Sequence, residues 1–350
     1  MQTLWFTLAA AIMAISVVMD GFDFGAGALH LWVARTDRER RQVFSAIGPF
    51  WHGNEVWLVA GGGVLFVAFP RVLASGLSGF YLGVIMLLWV LILRGIAIEF
   101  RSHVEDRMWR AFWDATFAVA STLAPVLFGA VLGNLVRGVP LQQNGWFALS
   151  LFESWSPRGT LGLLDWYTVT AGLLALAALS HHGALFLAWK TDGAVRERSL
   201  KSASRLFPAV VALWLAVTAM TVALVPGFTA TLAARPIAWL ASAVFLVALG
   251  ASWLARRAGR DLAAFVCSGT FLVGILGATA ACLYPVMIRS QDDPARSLTA
   301  FNAAGTHESL ATALLWWPVG FVLAIAYVAV LFRLHRGKVR SAGSEGYGGD

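Results

Sequence analysis

Charged side chains are scarce in this sequence. Asp, Glu, Lys and Arg together supply 13% of its 350 residues, about half of the roughly 25% usual for a soluble domain. An ordinary water-soluble fold is therefore excluded. Cysteine is nearly absent: Cys267 and Cys282 are the only two. Both lie in one apolar run, where a helix would hold them about 22 Å apart at about 1.5 Å per residue, far beyond disulfide reach. They read as small buried apolar residues. There is no cysteine cluster for an iron–sulfur centre and no CxxCH haem attachment. A Walker motif is also missing, which argues against ATP-driven transport. No Ser-His-Asp arrangement, internal repeat or soluble domain interrupts the chain.

What is present is apolar. Hydrophobic residues make up 59% of the chain, and its mean hydropathy is +0.72. The apolar runs are long and continuous rather than short and alternating. Helices, not barrel strands, are the way such runs satisfy their backbone in lipid. A pI near 10.0 and a net charge of +7 do not point to nucleic acid, because the basic residues sit in short loops between apolar runs. The start, Met1-Gln2-Thr3-Leu4, has no basic n-region and the first run has no clear cleavage site, so this run reads as a retained helix and not a signal peptide.

A spanning helix needs about 20 apolar residues. Nine runs qualify: roughly Leu4–Val33, Glu55–Phe69, Leu77–Ile98, Ala115–Leu135, Leu163–Trp189, Leu206–Val225, Ile237–Leu254, Leu262–Met287 and Leu310–Phe332. The second is short, and would lengthen if partners bury the polar motif before it. Nineteen of the 26 Lys and Arg fall in the odd-numbered connections and the tail, six fall in the even ones, and Arg94 lies inside the third helix. Cytoplasmic loops carry the excess of Lys and Arg. The fold is therefore all-α and polytopic, with nine transmembrane helices, the N-terminus outside and the C-terminus cytoplasmic. Residues 1–137 form a first four-helix bundle, 138–162 an outer loop and 163–287 a second four-helix bundle. Residues 288–309 form another outer loop, 310–333 a ninth, peripheral helix and 334–350 a cytoplasmic tail. The end of that tail, rich in Gly and Ser, reads as disordered.

Polar groups inside such runs are costly and usually face a protein interior with a task. Asp20 and Asp23 lie three apart in the first helix, which puts both carboxylates on one face. Asp20 is about 24 Å along the axis from Leu4 at about 1.5 Å per residue, in the inner half of the bilayer. Gly21, Gly25 and Gly27 beside them permit close approach of another helix. His52 and Glu55 repeat the spacing near the start of the second helix, where Gly48-Pro49 reads as an entry turn and Asn54 as a cap. Trp51 and Trp57 flank them. The two stretches are expected to form one polar site.

Two uses are open for these acids: hydrogen-bonding glue between helices, or a proton or ion relay. His52 is able to exchange protons near neutral pH, or to serve as a hydrogen-bonding residue. Arg94, Glu99 and Arg101 at the inner end of the third helix read as a paired network near the headgroups. Asp114 reads as an acid at the start of the fourth helix, where the helix dipole favours it. His181 and His182 are adjacent, so they point about 100° apart and cannot share one metal from one helix face. Either alone could be an axial haem ligand.

These residues carry a resemblance. Asp20-Gly21-Phe22-Asp23-Phe24-Gly25, Gly48-Pro49-Phe50-Trp51-His52-Gly53-Asn54-Glu55-Val56-Trp57 and Arg94-Gly95-Ile96-Ala97-Ile98-Glu99-Phe100-Arg101 resemble the signature stretches of subunit II of cytochrome bd-type quinol oxidases. Gly133-Asn134, His182-Gly183-Ala184, and Tyr284-Pro285 with Ser297-Leu298-Thr299 fit as well. The resemblance covers nearly the whole chain. It implies a terminal oxidase of aerobic respiration in the bacterial cytoplasmic (inner) membrane, oxidising quinol and reducing dioxygen to water. It places haems b, and as an open alternative haem d, in a partner, subunit I, with none bound by this chain and no metal site. It assigns Asp20, Asp23, His52, Glu55 and Glu99 to a proton path from the cytoplasm. Gly21, Gly25, Trp51, Asn54, Trp57, Arg94, Arg101 and Asp114 fall to helix packing or a subunit interface. One departure stands out: the family commonly has Asp where this chain has His52. A lipid or quinone between helices and a small single-helix accessory subunit are left open. The competing reading is an ion-coupled secondary transporter with a buried acidic coupling site.

Overall fold

The computed structural model describes residues 1–339. The end of the tail, residues 340–350, for which the sequence leads one to expect disorder, lies outside the described residues. Eleven helices follow one another among those described: α1 (Gln2–Val33), α2 (Asp37–Ala68), α3 (Pro70–Gly79), α4 (Tyr81–Phe100), α5 (Arg107–Arg137), α6 (Trp166–Lys190), α7 (Gly193–Leu224), α8 (Phe228–Ala234), α9 (Pro236–Arg257), α10 (Asp261–Leu283) and α11 (His307–Leu334). Eight of them, α1, α4, α5, α6, α7, α9, α10 and α11, are long and apolar enough to cross a membrane. The all-α expectation needs one amendment. A small antiparallel ribbon pairs β1 (Val286–Ile288) with β2 (Leu298–Thr299). Tyr284 ends α10 and the chain turns extended, so that helix stops short of the expected Met287.

The largest difference from the sequence reading lies in α2. Gly48-Pro49 is not an entry turn, because the helix begins at Asp37 and runs through Pro49 to Ala68. Its start is fixed by a capping box: Thr36 accepts from the Glu39 amide, and the Glu39 side chain accepts from the Thr36 amide. Pro49 removes one donor and deprives the Ser45 carbonyl of its helical partner, a loss that enclosed membrane helices tolerate. Asn54 and Glu55 are therefore mid-helix and cap nothing. Asp114 likewise lies in the second turn of α5, which is capped by Asp106 instead.

The helix ends gather into two opposite groups. At one end Arg101 reaches Asp37, Arg198 reaches Glu39 and the Val33 carbonyl, Arg196 reaches Asp261, and Gln42 reaches Asp192. All the Lys- and Arg-rich connections thus meet at this basic end. Residues 335–339 join it, with the Val339 amide donating to the Lys190 carbonyl at 2.7 Å. These residues fall within the segment assigned to the tail, yet they are held against α6. At the other end the Gly305 amide meets the Ala68 carbonyl, Leu149 meets Gly79, and Arg137 is ion-paired with Asp165. The ribbon and the 138–164 connection cover this end. Helix α2 runs from one group to the other.

Helices α1 and α6 occupy the centre, and α6 is buried along most of its length. Their backbones nearly touch. A Cβ on Gly25 would lie 2.0 Å from the Leu179 carbonyl oxygen, and one on Gly183 would lie 2.4 Å from the Ala26 nitrogen. Without water to drive apolar surfaces together, such close packing is what holds membrane helices. Phe22 of α1 stacks on Phe186 of α6 with ring centroids 4.2 Å apart, and Phe50 of α2 packs beside them. Helix α11 lies at the periphery, resting on α2 through Trp57–Phe321 and Phe50–Phe332 ring contacts.

Candidate functional site

Gly21 and Gly25 of α1 face α6, which turns the acids of α1 elsewhere. Asp20 and Asp23 are both buried, Asp23 completely. Asp23 Oδ2 accepts from Asn54 Nδ2 of α2 at 2.7 Å. The same oxygen lies 3.7 Å from Arg94 Nη2 of α4. Arg94 is fully buried, and its Nη1 donates to Glu55 Oε1 at 3.2 Å. Its guanidinium also rests 4.3 Å from the centre of the Phe24 ring, a favourable placement for a cation. Three helices thus supply one cluster: Asp20, Asp23, Asn54, Glu55 and Arg94. Opposite charges at this depth offset each other's burial cost only with close geometry and further hydrogen bonds. Here Asp20 Oδ1, Asp23 Oδ1, Asn54 Oδ1 and Arg94 Nε have no protein hydrogen-bond partner.

Glu55 forms the rim of this cluster, with its side chain 34% exposed. His52, one turn earlier on α2, is not inside. Its side chain is 65% exposed and its Nε2 lies 3.5 Å from Glu99 Oε1 of α4. The His52 ring stacks on Trp51 at 3.6 Å. Trp51 is buried, and a Cβ on Gly95 of α4 would be in ordinary contact with it. Trp57 is buried against α11. The structure therefore splits the expected site into a buried core and a surface pair, His52–Glu99.

A second cluster sits toward the basic end, and the sequence did not reveal its centre. Asp114 of α5 is buried and receives four contacts: His30 Nε2 at 2.8 Å, Arg101 Nε at 2.6 Å, Arg101 Nη2 at 3.1 Å and Arg40 Nη1 at 2.8 Å. Arg101 continues to Asp37 Oδ1 at 2.8 Å. Asp37 opens α2 outside the apolar run. Partial burial raises its pKa, but the Arg101 hydrogen bond and the charges of Arg101, Arg41 and Arg110 outweigh that and hold the carboxyl below its usual range. His30 was legible in one respect. It follows Asp23 by seven residues, two helical turns along the same stripe of α1.

The paired histidines are hydrogen-bonded within this chain. His182 Nδ1 lies 2.6 Å from Ser268 Oγ and its Nε2 lies 3.2 Å from the Val18 carbonyl. His181 Nδ1 lies 3.1 Å from the Ala203 carbonyl. Both rings lie in the protein interior and join α6 to α1, α7 and α10. Among the described residues no group of three or more His, Cys, Asp or Glu is arranged to hold a metal ion. Both cysteines are free.

Residues 1–335 match the family described as cytochrome bd terminal oxidase subunit II. A probable cytochrome oxidase subunit 2 of Haemophilus influenzae is 27% identical over 353 residues, covering 93% of this chain and 92% of that one. The cytochrome bd ubiquinol oxidase subunit 2 of Bacillus subtilis is 30% identical, covering 89% and 88%. The cytochrome bd-I ubiquinol oxidase subunit 2 of Escherichia coli K12 is 33% identical over a shorter stretch, 58% of this chain and 52% of that one. The fold is shared with a chain of the bd oxidase from Geobacillus thermodenitrificans, with a TM-score of 0.73 at 18% identity over 96% of this chain and 98% of that one. With its eight apolar helices and these relatives, the protein is a multi-pass protein of the bacterial inner membrane. Signature stretches, fold and full-length relatives converge, and the chain belongs to the cytochrome bd terminal oxidase subunit II family.

Proposed function

We infer that this chain is subunit II of a respiratory quinol oxidase. It packs against a haem-bearing subunit I and carries part of a proton path from the cytoplasm. The observation behind this reading is the buried cluster on α1, α2 and α4. Two carboxylates, Asp20 and Asp23, each keep an oxygen with no protein partner, and Arg94 links Asp23 to the half-buried Glu55. Buried polar atoms of this kind are completed by ordered water, and water between carboxylates conducts protons. Reducing dioxygen to water consumes protons within the complex, which gives such a path its purpose. In this reading His52 and Glu99 collect protons at the surface, Glu55 passes them inward, and Asp23 and Asp20 deliver them toward the partner. Arg94 and Asn54 hold the carboxylates in place, and Arg101 and Asp114 brace α4 against α5. The haems belong to the partner, b-type with or without haem d, and quinol is the substrate of the complex; a lipid or quinone between helices and a small single-helix subunit stay open.

The membrane arrangement is part of the same reading. We place nine crossings in α1, α2, α4, α5, α6, α7, α9, α10 and α11. Two four-helix bundles, 1–137 and 163–287, are joined by the outer loop 138–162, and the outer loop 288–309 leads to the peripheral α11. The N-terminus is outside and the C-terminus cytoplasmic. This is supported by α2 running between the two groups of helix ends and by the gathering of basic loops at one of them.

The test is substitution in the assembled oxidase. Asp20→Asn and Asp23→Asn are expected to lower quinol-oxidase turnover on the order of 10²-fold, the usual worth of a positioned proton-transfer group, with haem content unchanged. Haem loss would assign them to assembly, and full turnover would remove them from the path. A stand-alone ion-coupled carrier would work without a haem-bearing partner, so co-purification with such a partner separates the two readings.

A further inference from the structure

A cavity of about 160 Å³ opens at the basic end between α2, the end of α6 and residues 335–339. Ala46, Pro49 and Phe50 line it together with Lys190, Arg336 and Lys338, and no Asp or Glu does. Lys190 is only 2% exposed. Its ammonium donates to the His335 carbonyl and lies 5.4 Å from the Phe50 ring and 5.2 Å from the Trp189 ring. A carbonyl and two ring faces soften that charge but do not neutralise it. An ammonium has three donors, and a buried cation without a counter-charge is costly. Among the described residues, no carboxylate forms an ion pair with Lys190 or with the exposed Arg336. The acids nearby are engaged. Asp261 is held by Arg196 at 2.9 Å and meets Lys338 at 3.4 Å. Asp192 accepts from Gln42 at 2.8 Å.

We propose that this cavity is a binding site for a phosphate-type anion, held by Lys190, Arg336 and Lys338. A tetrahedral oxyanion offers several acceptors to a converging ammonium and guanidinium, which is the pairing these side chains favour. The cavity is small for a nucleotide and has room for one phosphate with a short ester arm. Phe50 and Pro49 on its wall suit the glycerol end of an anionic phospholipid, and the basic end lies where lipid headgroups are met. Inorganic phosphate would use the same donors without the apolar wall.

The experiment uses the chain purified with its native membrane partner. Wild type, Arg336→Gln and Lys190→Gln are reconstituted in nanodiscs of phosphatidylcholine with or without phosphatidylglycerol, and the phosphatidylglycerol retained after detergent extraction is counted by mass spectrometry. Retention is expected in the wild type and about tenfold weaker in each variant, the worth of one charge-assisted hydrogen bond. Arg336 is exposed, so that variant assembles even if Lys190→Gln does not. A second arm adds inorganic phosphate to phosphatidylcholine nanodiscs and records the melting temperature. A rise in the wild type that is lost in Arg336→Gln, without lipid retention, supports the site with soluble phosphate as its occupant. Equal lipid retention and equal phosphate response in wild type and Arg336→Gln would overturn the proposal.

Discussion

Arg94 makes two acids tolerable at once. It is fully buried, donates to Glu55 and stands 3.7 Å from Asp23. Removing one member of a buried charged set leaves the others uncompensated, at about 3–5 kcal/mol. Arg94→Met is therefore expected to lower the melting temperature of the assembled complex markedly. Arg94→Lys should recover only part of it, because an ammonium lacks the fork that reaches both acids. An unchanged melting temperature in Arg94→Met would mean that the cluster is not held by this charge. His52 is a different case. It is mostly exposed, with Glu99 and Trp51 beside its ring, while Glu55 and Glu99 remain accessible without it. His52→Ala is expected to slow turnover less than Asp23→Asn does, and His52→Asp to restore it; full activity in the alanine variant would exclude His52 from the path. Asp20, Asp23 and Glu55 were legible in the sequence because a polar group in an apolar run is conspicuous; Asn54, which reads as a cap, and Arg94, which reads as part of a headgroup network, join them only in the structure. The centre at Asp114 was not legible. His30 ends a helix like many others, and its partner lies 84 residues away, on a neighbour that no local pattern names.

Helices were legible where apolar runs were long, and α1, α6 and α11 begin within a few residues of where the runs predict. The apolar run understates α2, because Pro49 reads as a break although the Thr36 and Glu39 capping box marks an earlier start. Five charged residues from Asp37 to Arg41 also hid the helix from any hydropathy count. Contact between elements was legible through the polar stretches of α1 and α2 and through glycine. Gly25 was expected to admit a neighbour, and the structure makes that neighbour α6. A methyl group at Gly25 would meet the Leu179 carbonyl at 2.0 Å and the Gly183 Cα at 2.9 Å, backbone that cannot rotate away. Overpacking of this kind costs typically about 1–3 kcal/mol. Gly25→Ala should reduce the melting temperature and the yield of assembled complex. Gly250→Ala in α9 is the control, since nothing lies within 4 Å of its added methyl, and helix propensity alone should leave it neutral or slightly stabilised. Equal behaviour of the two variants would show that α1 and α6 are not locked by this crossing.

Across the whole molecule, charge marks one end. The basic connections, scattered over the sequence, converge there and are tied by a few acids: Asp37 to Arg101, Glu39 to Arg198 and Asp261 to Arg196. The alternation of basic and neutral loops was legible because it is a one-dimensional count. The pairings were not, because they depend on which helix ends are neighbours. Asp37 has its pKa depressed in the folded chain, so its stabilising contribution is present above the ordinary carboxylate value of about 4 and is lost as pH falls through the lower folded value. The melting temperature should accordingly fall on acidification below that range, and less steeply in Asp37→Asn, which has already lost the charge. Orientation follows from the same asymmetry. Positively charged loops stay on the cytoplasmic side, so Glu197, exposed near the start of α7, should face the cytoplasm. Ser156, in the 138–164 connection at the other end, should face outward. With Cys267 and Cys282 replaced, Ser156→Cys is expected to react with a membrane-impermeant maleimide on intact cells, and Glu197→Cys only after permeabilisation. The reverse pattern would put the His52–Glu99 pair and the basic end outside. The proton path inferred above would then open away from the cytoplasm, and its role in supplying the oxidase from within the cell would fail.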